Sequence, residues 1–220
     1  MQPTNPSIPE RPVVVVGAGG HARVVAAALL EAGRRILGYV DADESLWGTQ
    51  WLGVPVLGGD EQLARFSPQD VGLANGIGSV REPRVRRLVF EWGHGQGFVF
   101  ETVVHPCAYV SPYATLAEGA QVMAGAVIQA GARIGCNAIV NSGAVVDHDC
   151  VLGEHVHIAP GATLSGGVVI GNNCHVGAGA VIIQGIGLGA GSVIGAGAVV
   201  IGNHPAGVTL VGVPARVKSI

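Results

Sequence analysis

From Tyr109 the chain can be written in sixes without a gap: YVSPYA TLAEGA QVMAGA VIQAGA RIGCNA IVNSGA VVDHDC VLGEHV HIAPGA TLSGGV VIGNNC HVGAGA VIIQGI GLGAGS VIGAGA VVIGNH. These sixteen hexads fill 96 residues, and the second position is Val, Leu or Ile in every one. The sixth is mostly Ala, Cys or Ser, and the fifth is Gly or Asn in thirteen. An aliphatic residue at a fixed address suits a short strand whose side chain stacks inward on its equivalent one coil away. A small residue follows where the interior narrows, and Gly or Asn supplies the left-handed backbone of a sharp corner. Three strands and three corners close a triangular coil of 18 residues. Strands stacked about 4.8 Å apart make the prism roughly 25 Å tall. The fold class expected is a left-handed parallel β-helix of hexapeptide repeats over 105–204, with 205–220 as a C-terminal extension.

Composition enters through one anomaly. Charged residues are only 12% of the 220-residue chain, against 49% hydrophobic and 36 glycines. A surface so poor in charge is expected to be covered by further copies of the chain. No apolar run approaches the ~20 residues of a membrane span, so no membrane insertion is expected. The net charge of −3 argues against nucleic acid. Residues 1–11 are polar and proline-rich, read as a disordered tail without a secretory core. Cys107, Cys136, Cys150 and Cys174 have neither paired spacing nor a CxxC, which points to a reduced, cytoplasmic compartment.

Departures from the repeat are informative. The fifth-position exceptions are Tyr113, in the capping coil, and Asp149 and His155, in adjacent hexads. The repeat holds five charged residues, Glu118, Arg133, Asp147, Asp149 and Glu154, and three of them fall beside His148, His155 and His157. That stretch is the expected site. A histidine beside carboxylates fits a general base oriented and made more basic by its neighbour. A metal is the alternative, since His157 and His175 are one coil apart, although an open zinc site needs a third imidazole. The spacings do not match those of γ-class carbonic anhydrases. A non-enzymatic trimerisation scaffold with a nucleotide-sensing cap is a further reading.

Ahead of the prism, 12–104 reads as a small Rossmann-like α/β domain. Pro12–Val16 is a buried strand, Gly17–Ala22 a glycine turn, Arg23–Gly33 a helix and Ile36–Val40 a strand ending at Asp41. The order matches the dinucleotide-binding fingerprint loosely: amides at the helix start suit a phosphate, and Asp41 a sugar hydroxyl. Val71–Ile77 reads as a strand, with a turn at Gly78. Glu82–Glu91 reads as a helix whose Arg84, Arg86 and Arg87 face either phosphate or solvent. At about 90 residues the domain is half the size an NAD enzyme needs, and a nucleotide-sugar cradle fits it better.

Both halves together resemble the NeuD/PglD-like sialic-acid and nucleotide-sugar acetyltransferases of bacterial glycan biosynthesis. The resemblance runs from the glycine turn to Gly212-Val213-Pro214-Ala215-Arg216. Its most specific element is Asn141-Ser142-Gly143-Ala144-Val145-Val146-Asp147-His148-Asp149-Cys150, followed by Gly153-Glu154 and His157. The resemblance implies acetyl-CoA as co-substrate, a nucleotide-linked 4-amino-4,6-dideoxy sugar as acceptor, and a homotrimer with each site between two prisms. It implies His148 as catalytic base and Asp149 as the carboxylate raising its basicity, a place held by the longer Glu in some members. Asn141 then lies near the sugar amine. His157, Ala178 and Ala196 touch acetyl-CoA, and Gly19, Gly20, His21, Asp41 and Gly78 hold the nucleotide-sugar. O-acetylation of sialic acid or another sugar is the neighbouring alternative within this resemblance.

Overall fold

The computed structural model describes residues 11–79 and 83–218. Residues 1–10 of the expected 1–11 tail and the expected helix start at Glu82 lie outside the described residues. Five strands, β1 (Val13–Val16), β2 (Ile36–Val40), β3 (Gln50–Trp51), β4 (Val54–Gly58) and β5 (Gly72–Asn75), form a sheet in the order β3-β4-β2-β1-β5. Only β3–β4 is antiparallel. All four valines of β1 are buried, as a central parallel strand covered on both faces requires. Helix α1 (Gly20–Glu31) buries Ala22, Val25, Ala26, Ala28 and Leu29. It begins three residues before the expected Arg23, directly at the glycine pair. The hairpin β3–β4 and the short 3₁₀ turns at Glu44–Leu46 and Asp60–Arg65 have no counterpart among the expected elements.

The prism follows the hexads. Each contributes its first two residues as a strand, from Tyr109–Val110 to Val199–Val200. Strands 18 residues apart pair in parallel on three faces. Second- and sixth-position side chains form one continuous core from Ala120 to Ala198. Cys150 and Cys174 sit there as free, buried sixth-position residues. Fourteen successive corners, Gly119 to Gly197, have positive φ, including Asn137 (54°), Asp149 (58°), His155 (58°) and Asn173 (60°). The non-glycine corners thus hold the conformation that glycine adopts freely. Tyr113, in the first hexad, does not adopt it.

The coil register starts one hexad before Tyr109. Strand β6 (Val103–Val104) pairs with Gln121–Val122 at the same 18-residue spacing. At the far end the spacing shortens to 16, with Val193 opposite Thr209, and Arg216–Val217 returns antiparallel. The N-terminal domain packs on the face that begins with β6, where Met123 and Val103 join the core under α1. Helix α2 (Arg84–Gly95) packs against the corner at Glu118–Gly119 through Phe90 and Phe100.

Candidate active site

In the sheet, β1 has β2 on one side and β5 on the other, so the strand order reverses beside β1. Ligands of open parallel sheets bind outside the carboxyl ends of the strands at such a point. A cleft of about 660 Å³ lies there, between the sheet and the prism. From the turn after β1 come Gly19, Gly20 and His21, from the end of β2 comes Asp41, and from the loop after β5 come Gly76 to Ser79. The prism contributes Asn141, Ser142, His157 and Pro160. All six residues expected to bind substrate, together with His157, therefore meet in one cavity. A second cavity of about 600 Å³, between Asp60–Arg65 and α2, is walled largely by apolar side chains and holds none of them.

The cleft floor is built from buried amides and histidines whose orientations fix one another. Gln121 donates its Nε2 to the Asn75 carbonyl (2.8 Å), so its Oε1 faces His21 Nε2 at 2.9 Å. His21 must then donate from Nε2 and keep Nδ1 as an acceptor. Burial, with the Arg86 charge adding to it, pulls the His21 pKa down to about 4. His157 Nδ1 lies 2.9 Å from the Ser79 carbonyl and 2.8 Å from Ser79 Oγ. A carbonyl only accepts, so Nδ1 donates, and Nε2 accepts from Asn141 Nδ2 at 3.1 Å. Desolvation, reinforced by His175, lowers the His157 pKa to about 3. Its ring stands edge-on to His175, centroids 5.0 Å apart, so the 18-residue spacing does bring the pair together. Among the described residues no group of three or more His, Cys, Asp or Glu side chains is placed to hold a metal ion.

Asp41 has a structural duty at the cleft edge. Its carboxylate accepts from the Ala18 N–H (2.6 Å) and the Asp43 N–H (2.9 Å), tying the glycine turn to the end of β2. Helix α1 is preceded by Gly19 as its N-cap, with no side-chain cap bond. A Cβ built on Gly19 or Gly20 would meet nothing within 4 Å, so the helix start opens onto free space.

His148 and Asp149 stand elsewhere. The turn holding Asn141 and Ser142 joins Ile139–Val140 to Val145–Val146, and the next turn, toward Val151–Leu152, holds His148. These are different corners of the prism, and His148 does not line the cleft. His148 Nδ1 lies 2.8 Å from Asp149 Oδ2, with the side chains 53% and 73% exposed. The hydrogen bond to Asp149, then the charge of Asp147, raises the His148 pKa. With Nδ1–H donated to Asp149, Nε2 is the free basic nitrogen. The ring lies on the next coil, where a Cβ on Gly166 would collide with Nε2, and Asp149 lies against Gly131 in the same way on the coil before.

Within one copy of the chain the stretch from Asp147 to His157 is therefore spread over several sides of the prism. Its eleven residues pass more than half a coil and distribute their histidines over three sides. His148 faces out, and His157 faces the cleft. His155 is buried at a third corner, where Nδ1 accepts from Asn137 Nδ2 (3.0 Å) and the ring meets Phe90 edge-on. Ala178 and Ala196 lie on the corner column of Ser142 and Pro160, each 18 residues further on and both exposed. They continue the cleft's edge up the prism.

The arginine-rich helix needs a correction of a different kind. Arg86 faces neither solvent nor an open phosphate site but is 1% exposed. It donates Nε to the Asn137 carbonyl (3.1 Å) and Nη1 to the carbonyls of Asn75 (3.0 Å) and Ile77 (2.8 Å). Asn75 completes the seam, donating to the Arg86 carbonyl and Asn137 Oδ1 and accepting from the Ile77 N–H. Sequence reasoning misses the places of Arg86, Asn75, Asn137, Gln121 and Ser79. The signal for Arg86 is its place in a stripe with Phe90 and Gly93, while Val85, Leu88 and Trp92 of α2 stay exposed.

Residues 12–92 match the family model of the PglD N-terminal domain, and residues 131–166 that of the bacterial transferase hexapeptide (six repeats). The acetyltransferase domain of PglB from Neisseria gonorrhoeae FA1090, solved with acetyl coenzyme A, is 39% identical; the match covers 94% of this chain and 99% of that one, with a TM-score of 0.87. The chain belongs to the NeuD/PglD-like hexapeptide-repeat sugar acetyltransferases. A mutant of perosamine N-acetyltransferase from Caulobacter crescentus, in complex with CoA and GDP-perosamine, is 40% identical over 95% of this chain and 97% of that one, with a TM-score of 0.88. WeeI from Acinetobacter baumannii AYE is 27% identical over 94% and 100%, with a TM-score of 0.83. The comparison with curated proteins gives no match. As a family member this chain is an acyltransferase acting on sugars, and none of its described helices is long and apolar enough to cross a membrane.

Proposed function

We propose that the protein transfers the acetyl group of acetyl-CoA to the 4-amino group of a nucleotide-linked 4-amino-4,6-dideoxy sugar, with His148 as general base. The observation that carries this reading is the His148–Asp149 pair, which frees Nε2 on an open corner and raises the basicity of the ring. An ammonium is not nucleophilic until it loses a proton. The first proton leaves to solvent; as the free amine bonds to the thioester carbon, Nε2 takes a second N–H proton, the C–S bond then breaks, and the imidazolium returns that proton to the CoA thiolate. No acyl-enzyme is required.

The acceptor lies in the cleft, its diphosphate at Gly19, Gly20, His21 and Gly78, a sugar hydroxyl at Asp41, and its amine toward Asn141. The relative from Caulobacter crescentus, solved with CoA and GDP-perosamine, supports a nucleotide sugar as acceptor. Acetyl-CoA runs along the edge marked by Ala178 and Ala196, entering past His157, whose ring nitrogens are both engaged within the protein. Because His148 stands on a different corner from the cleft, a neighbouring copy completes each site, and a homotrimer supplies one neighbour per cleft. The low charge content and the exposed Val169, Ile183 and Ile201 support such an assembly.

The test is a panel of UDP-, GDP- and dTDP-linked 4-amino sugars with acetyl-CoA, read by thiol release, beside the matching hydroxyl sugars. Release with an amino sugar is expected, and His148→Ala should lower turnover ~10²–10⁴-fold. Undiminished turnover in that variant removes His148 from the mechanism, and release only with hydroxyl sugars makes the enzyme an O-acetyltransferase.

A further inference from the structure

Among the described residues the wall of the cleft offers no positive charge to a diphosphate. None of the described lining residues is Lys or Arg, Asp41 is acidic, and His21 and His157 are held neutral by burial. Burying a diphosphate against such a wall is costly unless a cation stands near. Arg86 stands directly behind it. Its two bonds to the Asn75 and Ile77 carbonyls hold the loop that forms one side of the cleft. Its charge is felt on the cleft wall itself, at His21 and at His157.

Arg86 is also unlike an ordinary buried arginine. Among the described residues no carboxylate pairs with it, and its Nη2 has no hydrogen-bond partner. A buried cation without a counter-ion is destabilising, and neutral donors could satisfy three carbonyls. The charge therefore calls for a use beyond holding the seam. The peptide unit supplies the link. Because it is planar and trans, an Ile77 carbonyl turned toward Arg86 turns the Gly78 N–H the opposite way. Gly78 lines the cleft, and its N–H makes no hydrogen bond among the described residues.

We propose that Arg86 is the buried counter-charge of the nucleotide-sugar's diphosphate, acting as a positioning residue through the Ile77–Gly78 peptide group rather than by touching the ligand. The proposal rests on the nucleotide-sugar reading above and adds a charged source of phosphate affinity to the amides of the helix start. A fixed unit charge within several ångströms, in a surrounding of effective dielectric near 20, changes the affinity for a diphosphate on the order of tenfold or more.

Calorimetric titration of GDP, UDP, guanosine, uridine and CoA into the wild-type protein, Arg86→Lys and Arg86→Gln tests it. Arg86→Gln should weaken the nucleoside diphosphates about tenfold or more while the nucleosides and CoA change little. Arg86→Lys, which keeps the charge and loses the fork, should retain the preference for diphosphate over nucleoside. Gly78→Pro, which removes the N–H, should mimic Arg86→Gln and serves if that variant does not fold. A parallel loss for every ligand, or unchanged diphosphate affinity in Arg86→Gln and Gly78→Pro, reduces Arg86 to a structural bolt. So does an Arg86→Lys variant that loses the preference as fully as Arg86→Gln. If the wild-type protein binds no nucleoside diphosphate, the nucleotide-sugar reading falls and takes this inference with it.

Discussion

At the outer corner His148 stands half exposed, its ring braced by a neighbouring carboxylate and raised in basicity. At the seam between the domains His157 is buried, held by Ser79 and Asn141 and kept neutral. The two are nine residues apart, half a coil, and lie two hexads apart in the same prism. What separates them is which side of the prism the register turns them to. A repeat scaffold thus sets side-chain chemistry by address: solvent and a carboxylate on one edge, a packed domain on the next face.

The largest effect is expected at the outer corner. Gly166→Ala places a methyl group where the His148 ring lies. Displacing a base by about 1 Å costs on the order of a hundredfold in turnover. A melting temperature close to wild type would show that the loss is one of position. Wild-type turnover would mean that the ring works from another rotamer. At the seam, Asn75→Ala strips partners from the Arg86 carbonyl, Asn137 Oδ1 and the Ile77 N–H. It should lower stability by about 2–4 kcal/mol in denaturant titration, whereas removing the exposed Asp149 carboxylate should leave stability nearly unchanged.

Asp149→Asn sharpens the contrast by its pH signature. A base works deprotonated, so kcat/KM rises with pH through the His148 pKa, which Asp149 holds above the ordinary 6.5. Loss of the carboxylate lowers that pKa, and the rising limb should move to lower pH while the maximum falls. A limb that stays in place assigns it to another group. At the seam the pKa shifts run the other way. His21 and His157 titrate near 4 and 3 in the folded protein and near 6.5 once exposed, so the unfolded chain binds more protons below 6.5. Their contribution to stability is complete above about pH 6.5, declines as pH falls from there, and is lost once pH has passed the folded values of about 4 and 3. Melting temperatures between pH 7 and 4 should fall less steeply in His157→Gln than in the wild type.

The prism is legible because each hexad repeats the same local instruction, and an aliphatic second position in sixteen successive hexads has one geometric solution. The glycine turn, α1, β2 and Asp41 are legible for a similar reason, since they lie within one short β-turn-helix-β unit. The seam is not. Gln121 and Asn75 meet across 46 residues of chain, Asn137 and Arg86 across 51, and nothing local marks a polar residue as one whose partners lie in another domain. Titratable residues concentrated near His148 suggest a single locus, but a coil closes every 18 residues, so eleven neighbours in sequence must point in several directions. The 3₁₀ turns and the β3–β4 hairpin carry no strong periodic pattern by which to find them.

The shortened final coil has a consequence for what the molecule avoids. A stack of identical parallel rungs is its own template, and an open end invites another chain to add rungs without limit. Here the last rung is two residues short, and Arg216–Val217 runs back against it in the opposite direction. On that face a newcomer would find a reversed strand with Lys218 beyond it, in place of a parallel edge ready to be continued. The same repetition that makes the prism easy to build is thereby stopped from templating itself along that face.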